Sequence, residues 1–571
     1  MARSTLTGLL LFLSIGIAAQ PIAKLQRFVD SIFKPVANII SPGCAVTIIQ
    51  NNKVVVKKAY GMASLEHKVA FTHNTVVRLP YSEAREFISL AALLMENDGI
   101  LKLEDKVHKY FPLLPEWAAP VTIWDLLNHR SGFADEWATL LLSQNSMSNR
   151  FEKDQFLRLL YHQPEPEVEP GKGYLYSNSD FGLLRLIMEA ACGNNLPDWM
   201  RKRMFNPLKM AATGMQKDPL ELIPGRADMY AAGSTGRYMH GRVQKTSPGG
   251  NYFILTTADD IQRWFTVLSD STSELGKASN RLLQNVRMIP GKESHLVTGY
   301  SVPVYNSRIV IMHEGVNGYL YLSRVPSERM AVITIGNRDG DGFGGENKAI
   351  IRYLLKVKAP VLPKLITVPI RLPVVELQKY EGNYRWANDV SWENGGQTRK
   401  FSSFFIEGNT LKVRYMGNYV IELTPVAKDI FYYNEGFGVQ FEFTHSPGTP
   451  MKVTVTFDDG FPGAEVEKDG STWKPSKDEL AGFKGKYHSR HLDYYWYIVQ
   501  DENGGLLLRR SNLPDVPITP DGINQFHYTG EKYPDAGFDS WILFNRNNSG
   551  EITGLTVWSG RVMHHRFARV N

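Results

Sequence analysis

The segment that decides the fold is Leu79-Pro-Tyr-Ser82-Glu-Ala-Arg85, together with the apolar stretch that follows it. Apolar residues recur every three or four positions through Met95, and Gly99 comes soon after. This spacing predicts a buried helix that ends near Gly99 and carries Ser82 in its first turn. A serine at this place is either an N-cap, or a nucleophile near backbone N–H groups that stabilise an oxyanion.

Two further motifs follow in the chain. Tyr176-Ser-Asn178 comes after a Pro-Gly pair, and His313-Glu-Gly315 comes after an apolar, strand-like run. A serine at a helix start, a Tyr-x-Asn triplet and a His-x-Gly triplet, in this order, resemble the motifs of the serine β-lactamase and penicillin-binding-protein superfamily. The resemblance is greatest to the class C-type branch, with its D-aminopeptidases, DD-peptidases and esterases. It covers roughly residues 40–355.

The resemblance implies a role for each motif residue. Ser82 would be the acylated nucleophile and Tyr176, beside it, a proton acceptor whose phenolate form nearby cations favour. Asn178 would hydrogen-bond a substrate amide, while His313 and Gly315 would line the cleft from an edge strand. Each residue also has a structural interpretation: a packed tyrosine, a turn or helix-cap asparagine, and a packed or surface histidine.

The first motif departs from the family at one residue. The family has Ser-x-x-Lys, in which a lysine one helical turn after the serine accepts its proton, whereas this chain has Arg85 there. A guanidinium can orient the serine, but it is not a proton acceptor at neutral pH. If the motif is aligned from the preceding strand instead of from the helix, Tyr81 takes the position of the serine and Ala84 that of the lysine. Neither alignment places a lysine in the motif.

The N-terminus has the pattern of a signal peptide over residues 1–19. Arg3 supplies the positive charge, Leu9–Ile17 the apolar core, and Ala18-Ala19 the small residues before cleavage. We therefore expect a secreted or periplasmic protein. No later run reaches about 18 consecutive apolar residues, which predicts no integral membrane segment after signal cleavage.

Composition narrows the class of protein. A formal charge of +6 over 571 residues, without a basic run, argues against a nucleic-acid partner. Cys44 and Cys192 are too few for a disulfide framework, so we expect free, buried thiols. The histidine pairs His488/His491 and His564/His565 complete no metal motif, and no phosphate loop is present. We predict neither a metal nor a cofactor.

The pattern of residues 20–357 predicts an α/β (α+β) sandwich, an antiparallel sheet with helices, as in the β-lactamase/transpeptidase-like fold. Helical spacing over 22–37 is followed by a hairpin with its turn at Asn51-Asn52. Strand-like alternation returns over 297–337. The sheet is thus expected to form from both ends of the domain, with helices between them.

A proline-spaced linker over 358–376 precedes two similar segments, 377–474 and 475–571. Gly382-Asn-Tyr384 near the start of the first corresponds to Gly485-Lys-Tyr487 in the second. Short alternating strands separated by Gly, Asn and Asp turns predict two small antiparallel β-barrel domains. Paired barrels behind such a catalytic domain resemble the D-aminopeptidase branch.

Two functions remain open from the sequence. The first is an exported serine hydrolase that acts on D-amino-acid peptides, amides or esters through an acyl-enzyme on Ser82, with activity weakened or lost because the lysine is absent. The second is a catalytically inactive pseudoenzyme that binds cell-wall fragments or a protein partner. The intact Tyr176, Asn178 and His313 set favours the first function, and Arg85 favours the second.

Overall fold

The structure is a computed structural model, and it describes most of the chain from residue 22 onward. The gaps are 144–151, 219–220, 233–236, 242–252, 284–295, 298–299, 315–318, 340–341, 358–364, 387–400, 416–418, 435–437, 458–463, 469–472, 512, 529–539, 560 and 571. The predicted signal peptide and Gly315 therefore lie outside the described residues.

The chain divides into two compact units. The first comprises Met1–Asp105, Arg150–Lys153 and Phe181–Lys358, and the second comprises Lys106–Asn149, Asp154–Asp180 and Ala359–Asn571. The domain boundaries expected from the sequence, at 357, 376 and 474, stay predictions.

A seven-stranded antiparallel sheet organises the first unit. Its strands, in spatial order, are Leu296–Val297, Tyr300–Ser301, Ile311–Glu314, Leu320–Val325, Met330–Gly336, Cys44–Gln50 and Lys53–Tyr60. The last two form the predicted hairpin, whose turn residues Asn51 and Asn52 have φ values of 50° and 61°. Asparagine tolerates this left-handed conformation better than most residues. The sheet is assembled from both ends of the domain, as predicted.

Both faces of the central strands are buried. Cys44, Val46 and Ile48 pack in a cluster with the helix at 22–33 and with Gly344–Leu354. The alternate residues of this strand, including Ala45 and Ile49, are buried as well. Side chains alternate across a strand, so the opposite face is also covered, and the helix Ala258–Leu268 contacts the strand. This layering confirms the predicted α/β sandwich.

The helix Tyr81–Asn97 begins directly after the strand Val77–Leu79. Its N-cap is Pro80, whose carbonyl oxygen accepts from the backbone N–H groups of Glu83 and Ala84. The N-cap interpretation of Ser82 is therefore wrong, because Ser82 is the second residue inside the helix. Gly99 follows the C-terminal end with a φ of 71°, a conformation that glycine adopts without strain.

Shorter elements complete the first unit. Its further helices are Leu196–Met200, which continues into a π-turn at Arg201–Phe205, and Glu274–Leu283. Three small sheets have two strands each: Met62–Ser64 with Val69–Ala70, Tyr230–Ala232 with Tyr238–His240, and Val304–Tyr305 with Arg308–Ile309. In a three-stranded sheet, Ile254–Thr256 lies between Val77–Leu79 and Gly214–Met215.

In the second unit, short helices precede two large sheets. The helices are Ile123–Leu127, Glu136–Leu141, Lys153–Tyr161, Val374–Leu377 and Lys477–Ala481, and the long helix Asn178–Ala191 starts in this unit and continues in the first. The first large sheet has nine strands, in the spatial order Tyr419–Glu422, Thr410–Tyr415, Phe401–Glu407, Gly382–Trp386, Ala464–Lys468, Lys452–Phe457, Gly438–Thr444, Ile430–Asn434 and Thr424–Ala427. Its two edge strands are neighbours in sequence, separated by the buried Leu423, so the sheet is nearly closed.

The second large sheet is a closed eight-stranded barrel in sequential order. Its strands are Gly485–Ser489, Tyr494–Gln500, Leu506–Arg509, Val516–Gly522, Gln525–Tyr528, Ser540–Arg546, Ile552–Ser559 and Val562–Val570. The first and last strands pair through His488 and Ala568, among other residues, and so close the ring. Closure removes the exposed strand edges that favour aggregation. Both predicted antiparallel barrel-type sheets are therefore confirmed.

Two further expectations can be compared with the described residues. Cys44 and Cys192 are free thiols, Cys44 buried in its strand and Cys192 only partly buried after the helix Asn178–Ala191. Burial raises the pKa of the Cys44 thiol, which makes it a poor nucleophile. In the part of the chain that the structure describes, no helix is long and apolar enough to cross a membrane.

Candidate active site

The first motif lies on the helix Tyr81–Asn97, one of the most buried helices of its unit. The backbone of Ser82 is described, whereas its side chain is not. Arg85, one turn further on, is buried, and its guanidinium carbon lies 5.3 Å from the centre of the Phe181 ring. A cation over an aromatic face is favourable, so Arg85 is a packed residue of the helix. Glu86, next to it, accepts from the indole N–H of Trp264 at 2.7 Å.

His313 links the edge of the large sheet to the same helix. It lies on the strand Ile311–Glu314 and is buried. Its Nε2 is 2.9 Å from the backbone oxygen of Glu83. Because a carbonyl oxygen can only accept, Nε2 carries the proton in this contact. His313 therefore anchors the first turn of the motif helix to the sheet, and its ring also meets that of Tyr300 edge-on, with centroids 5.7 Å apart.

The Tyr-x-Asn motif lies in the second unit and is held by a residue that the sequence analysis did not identify. Tyr176 donates its hydroxyl to Oδ1 of Asn178 at 3.4 Å. Asp135, which is 1% exposed, accepts at Oδ2 from the Asn178 backbone N–H at 3.0 Å and from its side-chain amide at 2.9 Å. Its Oδ1 accepts from the Ala138 N–H at 3.0 Å and caps the helix Glu136–Leu141. One carboxylate thus fixes both the motif and the helix.

A histidine and a buried acid lie next to the tyrosine. The ring of His129 is 4.7 Å from that of Tyr176. His129 Nδ1 accepts from the backbone N–H of Ser177 at 3.3 Å and lies 3.0 Å from Oδ2 of Asp180. Burial raises the pKa of Asp180 well above its ordinary value, against the lowering effect of the Ser131 hydroxyl that donates to it. Burial thus disfavours the charged form of the acid that faces His129.

Glu136, next to Asp135, is a second buried acid beside this motif. Burial, and then the negative charge of Asp135, raise the pKa of Glu136 well above its ordinary value. Glu136 Oε2 accepts from the Ser179 hydroxyl at 2.7 Å, and the Ser179 Oγ accepts from the Glu136 backbone N–H at 3.0 Å. Burial therefore disfavours the charged forms of both Glu136 and Asp180, whose pKa values are raised.

The closed eight-stranded barrel, which is the second barrel of the chain, contacts this motif through Arg561. Its Nη1 lies 2.9 Å from Oδ2 of Asp135, and its guanidinium carbon lies 4.3 Å from the centre of the Tyr176 ring. The two partners of the ion pair are 426 residues apart in sequence. No local pattern marks Arg561, whereas His129 and Ser131 stand in a conspicuous Asn-His-Arg-Ser-Gly run.

The structure places the predicted site residues in two groups. Ser82, Arg85 and His313 belong to the first unit, and Tyr176 and Asn178 to the second. Among the described residues, no cluster of three or more His, Cys, Asp or Glu side chains is suited to hold a metal ion.

Comparison with known proteins identifies the family. The Beta-lactamase family model matches residues 29–355, more than half of the chain, and the chain therefore belongs to the β-lactamase-like serine hydrolase family.

Individual relatives match the chain over shorter stretches and at low sequence identity. Penicillin-binding protein 4* of Bacillus subtilis is 30% identical over 188 residues, which are 33% of this chain and 41% of that protein. A D-aminopeptidase of Brucella ovis is 28% identical over 244 residues, 42% of this chain and 44% of that protein. The matches thus span less than half the length of these curated relatives. The octameric penicillin-binding protein homologue of Pyrococcus abyssi aligns in structure with a TM-score of 0.52 and 19% identity, over 78% of this chain and all of that one, which supports the fold.

Proposed function

We propose that this chain is an exported serine hydrolase of the peptidase, amidase or esterase type, which forms an acyl-enzyme on Ser82. Small D-amino-acid peptides, amides or esters, or cell-wall fragments, are its substrates. The observation that carries the proposal is the arrangement of Tyr176 and Asn178. One buried carboxylate, that of Asp135, holds the asparagine through two hydrogen bonds.

Each motif residue has a role in the proposed reaction. The hydroxyl of Ser82 attacks the substrate carbonyl, and the phenolate form of Tyr176 accepts its proton and later returns it to the leaving group. Backbone N–H groups stabilise the tetrahedral oxyanion. Asn178 hydrogen-bonds the substrate amide, while His313 and Gly315 border the cleft. These assignments are supported by the motif order in a member of this family.

Arg85 weakens the reaction in this proposal. The position holds a buried guanidinium stacked on Phe181, which is not a proton acceptor at neutral pH. Proton transfer by a positioned base contributes about 10²- to 10⁴-fold to rate, so the chain is expected to acylate slowly or not at all.

Covalent labelling tests the site directly. The full chain is treated with a fluorescent fluorophosphonate or β-lactam, and the labelled residue is mapped by peptide mass spectrometry. A label on Ser82 that is lost in Ser82→Ala supports the acyl-enzyme. A label on a different residue would refute the assignment of Ser82.

Replacement of Arg85 by lysine tests the missing base. Arg85→Lys restores a group that can become a proton acceptor when desolvated, and acylation by an activated ester should rise at least tenfold. Ser82→Ala in the same background should abolish the gain. A folded Arg85→Lys protein that stays silent would favour the shifted register, with Tyr81 and Ala84 at the two positions.

The second candidate function is a binding protein without catalysis. The absence of the lysine favours it, because the remaining motifs can still bind a peptide or a cell-wall fragment. Binding of a D-amino-acid peptide measured by calorimetry, without labelling of Ser82 in either the wild type or Arg85→Lys, would establish this function.

Export and domain layout form part of the same proposal. Mass measurement of the secreted protein should give a mature chain that begins within two residues of Gln20. Limited proteolysis should cut within 358–376, between the catalytic domain and the barrels at 377–474 and 475–571. An intact N-terminus at Met1, or the absence of cleavage in the linker, would contradict these boundaries.

A further inference from the structure

The second barrel contacts the Tyr-x-Asn motif through the side chain of Arg561. Arg561 stands next to Val562, at the end of the hairpin formed by Ile552–Ser559 and Val562–Val570. Its guanidinium is only partly exposed, with 26% of the side-chain surface accessible. It therefore lies between the barrel and the motif and does not extend into solvent.

The contacts of Arg561 are specific in geometry. One nitrogen donates to Asp135 at 2.9 Å while the guanidinium plane lies against the Tyr176 ring, 4.3 Å from its centre. Arginine suits this double contact because its planar group can stack on a ring and donate in the plane at the same time. The same Asp135 oxygen also accepts from the amide of Asn178. Arg561 thus touches the tyrosine directly and the asparagine through one shared carboxylate.

The surrounding charges explain why a cation is needed at this place. Asp135 is buried, with one oxygen facing two N–H groups of Asn178 and the other facing Ala138. Neutral donors compensate a buried carboxylate less well than a cation does. Removal of Arg561 would leave Asp135 without this ion pair and would weaken its hold on Asn178.

We propose that Arg561 is a positioning residue of the active site, supplied by the second barrel, which holds Tyr176 and Asn178 in the arrangement that binds and acylates a substrate. It places a cation beside the Tyr176 ring. The second barrel is thus a part of the site. This inference rests on the proposed function and extends it to a residue outside the matched family region.

Three variants separate positioning from general stability. Arg561→Gln removes the charge, Arg561→Lys keeps it, and Arg569→Gln is the matched control. Arg569 lies on the strand Val562–Val570 that directly follows Arg561, is exposed and donates to the Lys484 carbonyl within the barrel. Acylation of each full-length protein by a fluorophosphonate is followed by intact mass, with the thermal midpoint as a check on folding.

Arg561→Gln should acylate roughly 10- to 100-fold more slowly, the range expected for a lost charge-assisted contact. Arg561→Lys should recover most of the rate, and Arg569→Gln should match the wild type. An Arg561→Gln rate equal to that of the wild type, or equal slowing in Arg561→Gln and Arg561→Lys, would overturn the inference.

A second measurement tests the role of Arg561 even if the wild type is not labelled and the proposed hydrolase activity is therefore wrong. 3-Fluorotyrosine incorporated at position 176 reports the surroundings of that ring through its ¹⁹F signal. A signal that shifts or broadens in Arg561→Gln, and is preserved in Arg561→Lys and Arg569→Gln, shows that the cation positions the motif without catalysis. An unchanged signal in Arg561→Gln overturns the inference whatever the activity.

Discussion

The two C-terminal sheets share a local design but differ in what they contact. In the first, the hydroxyl of Tyr384 donates to the Tyr380 carbonyl at 2.9 Å. In the second, the hydroxyl of Tyr487 donates to the Phe483 carbonyl at 2.8 Å. Both tyrosines are fully buried and both bonds span four residues, so the repeated Gly-x-Tyr sequence has produced the same internal anchor twice.

The hydrophobic cores of the two sheets are less alike. In the described residues, the cluster of the first sheet is drawn from 372–466 alone. The cluster of the closed barrel includes Ala138 and Leu142, and the indole N–H of Trp496 donates to the Leu142 carbonyl at 2.7 Å. Both segments thus form a similar sheet, whereas among the described residues only the core of the closed barrel extends to the segment before the Tyr-x-Asn motif.

The largest effect is expected from truncating a side chain in the core that the closed barrel shares with Ala138 and Leu142. Trp496→Ala should lower the free energy of unfolding by about 3–5 kcal/mol, because a buried aromatic side chain is lost and a cavity remains. Phe404→Ala in the first sheet is the matched variant and should cost a similar amount. Hydrogen exchange should show that Trp496→Ala, and not Phe404→Ala, deprotects the helix Glu136–Leu141. Equal deprotection by both variants would remove the distinction between the sheets.

A pH dependence caused by two histidines is expected in the second sheet. Burial, and then the charge of His162, lower the pKa of His491 to about 4, although its hydrogen bond to the Leu159 carbonyl opposes this. Burial also lowers the pKa of His565, whose ring stacks on His491 at 5.2 Å. His564, Glu165 and Glu167 line the same cavity of about 220 Å³.

The direction in which stability changes with pH follows from the difference between the pKa of His491 in the folded chain and in the unfolded chain. Between pH 6.5 and about 4 the unfolded chain binds a proton that folded His491 does not, so stability is complete above pH 6.5 and falls as the pH decreases towards 4. For His491 alone the loss is about 3 kcal/mol. Denaturant unfolding at pH 7 and pH 4.5 should show this loss, and His491→Gln should reduce it. His445→Gln, at an exposed position of the first sheet, should leave the pH dependence unchanged.

The smallest effect tests the likeness of the two sheets. Tyr384→Phe and Tyr487→Phe each remove one buried hydroxyl that donates to a backbone carbonyl, and each should cost about 1 kcal/mol. Matched urea unfolding curves should give losses that agree within the error of the measurement. A much larger loss for Tyr487→Phe would show that the anchor of the second sheet also supports its contact with the preceding segment.

Much of the site was predictable from local pattern, because helix periodicity and short motifs are encoded within a few residues. The periodicity after Ser82 gave a helix whose observed end precedes Gly99 by two residues. The structural interpretation of His313 gains support, since its Nε2 bonds to the Glu83 carbonyl, although the same residue stands in the His-x-Gly motif. Asp135 and Arg561 were not predicted, since neither belongs to a motif and their contacts with Tyr176 and Asn178 join residues that are far apart in sequence.

The sequence by itself determined the local elements of this protein: the motif helix, the Asn51-Asn52 hairpin, and two similar sheets with a buried tyrosine each. Periodicity, turn residues and repetition specify such elements because they depend on neighbours along the chain. Tertiary structure alone decided that Arg561 meets Asp135 across 426 residues, and that the second sheet shares its core with Leu142. Such contacts follow from how whole elements pack, and a single sequence holds no local signal of the partner that a buried side chain will meet.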